Sequence, residues 1–120
     1  MLREKLNRED LLEATLDHET VATVDIKKVT IPRGMGAGKH FHPCPVVGYI
    51  VSGKVLFQVQ GEEMKILNPG DAFYEPKNKI ILHFDNASKE EPLVFIAFYL
   101  KEAGEELIKM LDKIFEFCCR

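Results

Sequence analysis

The 120-residue chain predicts an all-β fold with one helix at its C-terminus, and three observations carry that prediction. Short runs rich in Val, Ile, Thr and aromatic residues recur at close spacing from Val21 to Leu100, with no helical period between them. Of the 8 glycines and 6 prolines, 12 fall between Pro32 and Pro76, so the middle of the chain turns often and its ends hardly at all. The apolar period then becomes helical beyond Gly104. The composition agrees with one globular domain. It is 46% hydrophobic and 29% charged, with 16 Lys+Arg against 19 Asp+Glu, which excludes the apolar depletion of a disordered chain. A chain of this size buries roughly two-thirds of its unfolded surface without needing disulfides or a structural metal.

Residues 1–20 read as an N-terminal arm. Asn7 is a candidate cap, Glu9 and Asp10 suit a first turn, and Leu11, Leu12 and Leu16 suggest a short helical turn within 5–17. Val21–Ile31 reads as a strand, with Lys27-Lys28 marking a bulge or an exposed stretch. Gly34, Gly36 and Gly38 make the segment after Pro32 a loop, because so many glycines would weaken either regular element. Short strands follow at Gly48–Val51, Lys54–Gln60, Glu63–Leu67, Ala72–Glu75, Ile80–Phe84 and Leu93–Leu100. Runs at this spacing predict a barrel or sandwich over residues 21–100.

Both faces of Leu93–Leu100 are apolar, so that strand is expected to be covered on both sides, by the interior and by another layer or subunit. In residues 101–120, Leu107, Ile108, Leu111, Ile114, Phe115 and Cys118 fall on one helical face. The segment Glu105–Cys118 is therefore predicted as one amphipathic helix whose stripe needs a surface. These two features together predict a homodimer.

Several classes are excluded. The longest apolar run, Leu93–Leu100, is far short of the ~18 residues that span a bilayer. Met1-Leu2-Arg3-Glu4-Lys5-Leu6 has mixed charge and no apolar segment behind it, so no secretory signal is expected. Cys44, Cys118 and Cys119 are odd in number and lack a framework spacing, which favours a reduced, cytoplasmic compartment. A net charge of −3 with no basic stripe argues against nucleic acid and against an anionic membrane as partners.

The chemistry concentrates at His40-Phe41-His42. In a strand, residues i and i+2 share a face, so both imidazoles can converge on one point, and paired neutral imidazoles suit Fe, Ni, Mn, Zn or Cu. Around this pair, Gly34, five residues, His40-Phe41-His42 and then Gly53 resemble the first motif of the cupin superfamily. Gly70-Asp71-Ala72-Phe73-Tyr74-Glu75-Pro76-Lys77-Asn78 resembles the start of its second motif. The resemblance covers roughly residues 20–100 and implies a jelly-roll β-barrel with a metal held inside by two His, a Glu and a third His. The family pattern places that Glu at Val46 and the third His at Ile81, neither of which can ligate. His83 lies two residues beyond Ile81, about 6.8 Å along a strand, and a bulge would be needed to shift it back.

Three readings stay open on the sequence. A divalent transition metal is held by His40, His42 and His83, with a small-molecule dioxygenase or isomerase activity implied by the resemblance. Alternatively, a metal-free cavity of Val46, Tyr49, Phe57 and Ile81 binds a small ligand without catalysis, or the domain is an assembly module. Cys44, between Pro43 and Pro45, reads as a small loop residue, with a soft ligand as the alternative. Glu75 reads as a solvated carboxylate at the barrel mouth, with acid–base work as the alternative.

Overall fold

The computed structural model describes residues 5–103 and 106–111. Within them the strands are β1 (Thr23–Ile31), β2 (His40–Phe41), β3 (Val46–Ser52), β4 (Val55–Val59), β5 (Lys65–Leu67), β6 (Ala72–Glu75), β7 (Ile81–Asn86), β8 (Leu93–Lys101) and β9 (Lys109–Met110). They pair antiparallel in two sheets, β1-β8-β3-β6 and β5-β4-β7-β2-β9. The all-β prediction therefore holds over residues 21–100, and β1 runs unbroken against β8 from Thr23 to Ile31, leaving no bulge at Lys27-Lys28.

The interior follows from strand register, because residues paired across a ladder point to the same face. One layer holds Val46, Glu75 and Tyr99 from the first sheet, with His40, Val59 and Ile81 from the second. The next layer is aromatic. Phe73, paired with Gly48, meets Phe57 and Phe84 across the sheets, with ring centroids 6.1 and 5.0 Å away, and Phe95 completes the cluster 4.7 Å from Phe84. Gly48 makes room for this layer. A Cβ there would overlap the Phe73 ring and lie 2.6 Å from the Ile96 carbonyl oxygen. At the far end, Gly53 (φ +86°) turns the chain from β3 into β4, and a Cβ there would lie 2.9 Å from Leu93 Cα, so both conformation and space oppose a side chain.

Asn86 locks that end. Its amide donates to the carbonyls of Ile31, Pro32 and Glu91 at 3.2, 3.2 and 2.8 Å, while its Oδ1 accepts from the Ser88 N–H at 2.8 Å. One buried side chain thus satisfies the backbone where β1 ends, β7 ends and the turn into β8 begins.

Both terminal expectations are corrected. No helical turn forms over residues 5–17; the segment 5–22 has neither helix nor strand and turns at Asp17 and His18, whose φ values are 47° and 64°. Leu11, Leu12 and Leu16 instead line a cavity of about 430 Å³ against Val47, Tyr49, Phe98 and Leu100 on the outside of the first sheet. A helix this short is marginal alone, and the arm gains more by laying its leucines on an apolar sheet. The helix expected over Glu105–Cys118 is absent from its described part: Lys109–Met110 is β9, paired with His40–Phe41. The two-residue β2 offers an open backbone edge that an extended segment can satisfy, and Leu107 and Ile108 still pack on the core from it. Glu105 and residues 112–118 of that expectation lie outside the described residues. Among the described residues no helix is long and apolar enough to cross a membrane.

Candidate metal centre

The two imidazoles are placed by backbone contacts. His40 lies on β2 opposite Ile81, and the carbonyl of His42, just beyond the strand, accepts from the Asn78 N–H at 2.9 Å. Both side chains are buried, at 1% and 2% exposure. His40 donates its Nδ1–H to the Gly38 carbonyl and His42 donates its own to the Leu107 carbonyl, each at 2.7 Å. With Nδ1 so committed, a neutral ring carries its lone pair on Nε2. The two Nε2 atoms point at one carboxylate: Glu75 Oε2 lies 3.4 Å from His40 and 3.2 Å from His42.

Glu75, expected in solvent at the barrel mouth, completes the cluster from inside. It is 4% exposed, the last residue of β6, and no solvated carboxylate. Its ladder partner is Val46, the position where the cupin pattern puts its glutamate. Paired residues hold their Cβ atoms about 5 Å apart on one face, so a carboxylate on either can reach the same point. The signal was present in Ala72-Phe73-Tyr74-Glu75, where the alternation that turns Phe73 inward also turns Glu75 inward.

The remaining candidates separate. Val46 and Ile81 are fully inside, beside the His–Glu cluster, and Phe57 belongs to the aromatic layer. Tyr49 is 42% exposed on the outer face of the first sheet, away from the interior. Cys44 is buried among the core residues. His83 is not brought to His40 and His42. It pairs with Gln58 on β4, its Nδ1 bonds Asp85 Oδ2 at 2.8 Å, and it lines an outer cavity with Gly36, Lys39 and Leu82. A bulge lies where β7 spends two residues, Ile81 and Leu82, against one step of β4. It moves His83 outward instead of back, because the extra residue reverses the alternation and hands the inward position to Phe84.

Burial and charge act against each other in this cluster. Burial favours the neutral form of His42, but the Glu75 charge beside it and the Leu107 carbonyl outweigh that, and its pKa is raised above 6.5. Burial likewise favours protonated Glu75, yet the two imidazoles pull it down to about 2. Metal-free protein thus holds an ion pair. Its stabilisation is complete between about pH 4.5 and 6.5; it is lost upward through the raised His42 pKa and downward through the lowered Glu75 pKa. Urea midpoints of chelator-treated protein are expected to peak in that window. A midpoint that keeps rising from pH 6 to 9 would contradict the pairing.

A cupin-domain family model matches residues 27–99, more than half of the chain. The chain is a cupin. No curated protein matches this cupin in sequence. Solved structures that resemble it include the DMSP lyase DddQ of Ruegeria pomeroyi, with 19% identity and a TM-score of 0.63 over 73% of this chain and 43% of the lyase. Oxalate decarboxylase of Bacillus subtilis gives 24% identity and a TM-score of 0.64 over 74% of this chain and 24% of its own; that enzyme has Mn(II) centres. A cupin-like protein of Thermotoga maritima gives 24% identity and 0.58, with 77% and 69% covered. The cupin therefore spans less than half of the lyase and about a quarter of the decarboxylase. At these identities the likeness establishes the fold.

The donor set of this cupin fits a metal. His40, His42 and Glu75 each offer one ligand atom, all within 4.8 Å of one another and all buried. Glu75 Oε2 is buried with no hydrogen-bond partner among the described residues, although buried carboxylates are normally satisfied. Two imidazole lone pairs and an anionic oxygen facing one point repel unless a cation or a proton lies between them.

Proposed function

We propose that the barrel holds a divalent transition metal through Nε2 of His40, Nε2 of His42 and a carboxylate oxygen of Glu75, and acts on a small molecule there. The observation that carries this is the convergence of three buried donors within 4.8 Å, on two rings whose other nitrogens are already committed. Two imidazoles and one carboxylate suit Fe(II) or Mn(II) and leave coordination positions for a ligand. The metal supplies Lewis acidity and, if iron or manganese, a redox centre, which matches a dioxygenase or isomerase. The chain's own part is positional and electrostatic. The carbonyls of Gly38 and Leu107 fix both tautomers, Glu75 offsets one positive charge, and Val46, Ile81 and Tyr99 keep water from the surrounding wall. Support also comes from the fold neighbours that are lyases and decarboxylases, one of them with manganese.

Metal analysis of the purified and reconstituted protein tests this reading. Stoichiometric metal that is lost in the His40→Ala/His42→Ala double variant supports it. A folded wild type that retains none after reconstitution returns the barrel to metal-free ligand binding. The reading further includes a second copy of the chain in a reducing compartment. Val24, Ile26, Tyr49 and Val51 are 51%, 60%, 42% and 46% exposed on the outer face of the first sheet. Light scattering at micromolar concentration is expected to give a dimer, and a monomer would remove that part.

A further inference from the structure

β9 is the outermost strand of the second sheet and lies next to β2, which carries His40 and leads directly into His42. Three separate contacts seat it there. Met110 and Lys109 pair with His40 and Phe41, the Leu111 N–H donates to the Lys39 carbonyl at 2.9 Å, and Leu107 and Ile108 pack on the core. The segment 106–111 also supplies the Leu107 carbonyl that accepts the His42 Nδ1–H at 2.7 Å, across a sequence separation of 65 residues. His40 has no such dependence, since its acceptor, Gly38, is two residues away in its own loop.

We infer that the C-terminal segment 106–111 is a structural part of the metal centre, with the main-chain carbonyl of Leu107 acting as the positioning group that fixes the ring and tautomer of His42. The inference rests on the metal reading above and deepens it: the centre is incomplete until β9 is seated. An imidazole without its Nδ1 acceptor can rotate or place its proton on Nε2, and an Nε2–H cannot ligate. Outer-shell partners of this kind are worth 10–100-fold in metal affinity. Linkage makes the effect reciprocal, so bound metal must stabilise the seated β9 by the same factor. His40 and Glu75 stay in place when β9 lifts, so loss of the segment weakens the centre without erasing it.

The test uses the full chain and three readouts. Leu111→Pro removes the N–H that ties the segment to Lys39, whereas Leu111→Val keeps it. Mn(II) titration is expected to give wild-type affinity for Leu111→Val and a loss of about 10–100-fold for Leu111→Pro, with the circular dichroism of the barrel unchanged. An affinity within twofold of wild type in Leu111→Pro overturns the inference.

If that variant does not fold, hydrogen exchange of wild type decides. The amides of 109–111 are expected to slow by about 10–100-fold with Mn(II), and exchange that is indifferent to metal overturns it. ¹⁵N NMR of metal-free wild type supplies the metal-independent arm. At about pH 5.5, with both ring nitrogens protonated, the Nδ1–H of His42 is expected to be protected from solvent exchange by the Leu107 carbonyl, and an unprotected Nδ1–H overturns the inference. A wild type that binds no Mn(II) counts against the metal reading, while the Nδ1–H protection still decides the role of Leu107.

Discussion

Glu75→Gln is expected to reduce metal affinity by more than the ~100-fold that an outer-shell partner controls, because it removes the only anionic ligand among the described members of the cluster. The substitution keeps shape and volume, so the barrel is expected to stay folded. With the carboxylate gone, only the Leu107 carbonyl favours a proton on His42, and burial, the larger effect, then returns that ring to its neutral form. The stronger version of the experiment moves the carboxylate. Val46 and Glu75 are ladder partners with side chains on one face, so the double variant Val46→Glu/Glu75→Val puts the carboxylate where the cupin pattern has it. It is expected to regain metal that the single variant Glu75→Val has lost, read by metal analysis after reconstitution. Metal retained at wild-type stoichiometry in Glu75→Gln would show that this carboxylate is not a ligand.

The second large effect is on stability. Asn86→Asp changes one atom's identity and almost no volume, yet it replaces an amide that faces three carbonyl oxygens. The introduced oxygen is repelled by all three, and their hydrogen bonds are lost. Leaving buried groups of this kind unpaired costs about 3–5 kcal/mol when one of them is charged. For a chain of this length that is a fall in Tm of roughly 10–20 °C. The sign of its pH dependence follows. The folded state raises the pKa of the new carboxyl above its unfolded value of about 3.9, so the deficit is smallest below about pH 4 and grows as pH rises through the raised value. Urea unfolding at pH 3.5 and pH 7 measures the difference. A deficit equal at both would mean that the new side chain has turned to solvent.

The positions of the strands were legible because the turns that bound them are written in Gly and Pro, and the His pair was legible because two residues two apart share a face. The carboxylate of the cluster was not. A pattern read along one strand places the glutamate at Val46, while the carboxylate of this chain lies one rung across the ladder, a relation that exists only once β3 and β6 are paired. His83 shows the same limit from the other side. Its spacing from Ile81 implies an inward side chain only if β7 is regular, and the extra residue at Leu82 is invisible until β4 is laid beside it. The described part of the C-terminal segment, residues 106–111, departs from a helix for a third reason. Leu107, Ile108 and Leu111 fit a helical stripe, but the open edge of β2 made an extended backbone the better partner, and edges are a property of the assembled sheet.

The aromatic layer has a consequence for what the barrel can take in. Phe57, Phe73, Phe84 and Phe95 close the interior one layer beyond the His–Glu cluster, and successive inward residues on a strand are about 6.8 Å apart. On that side the barrel is therefore solid, not a tunnel. A molecule that reaches the His–Glu cluster cannot pass beyond it, and any longer chain must extend back toward the rim.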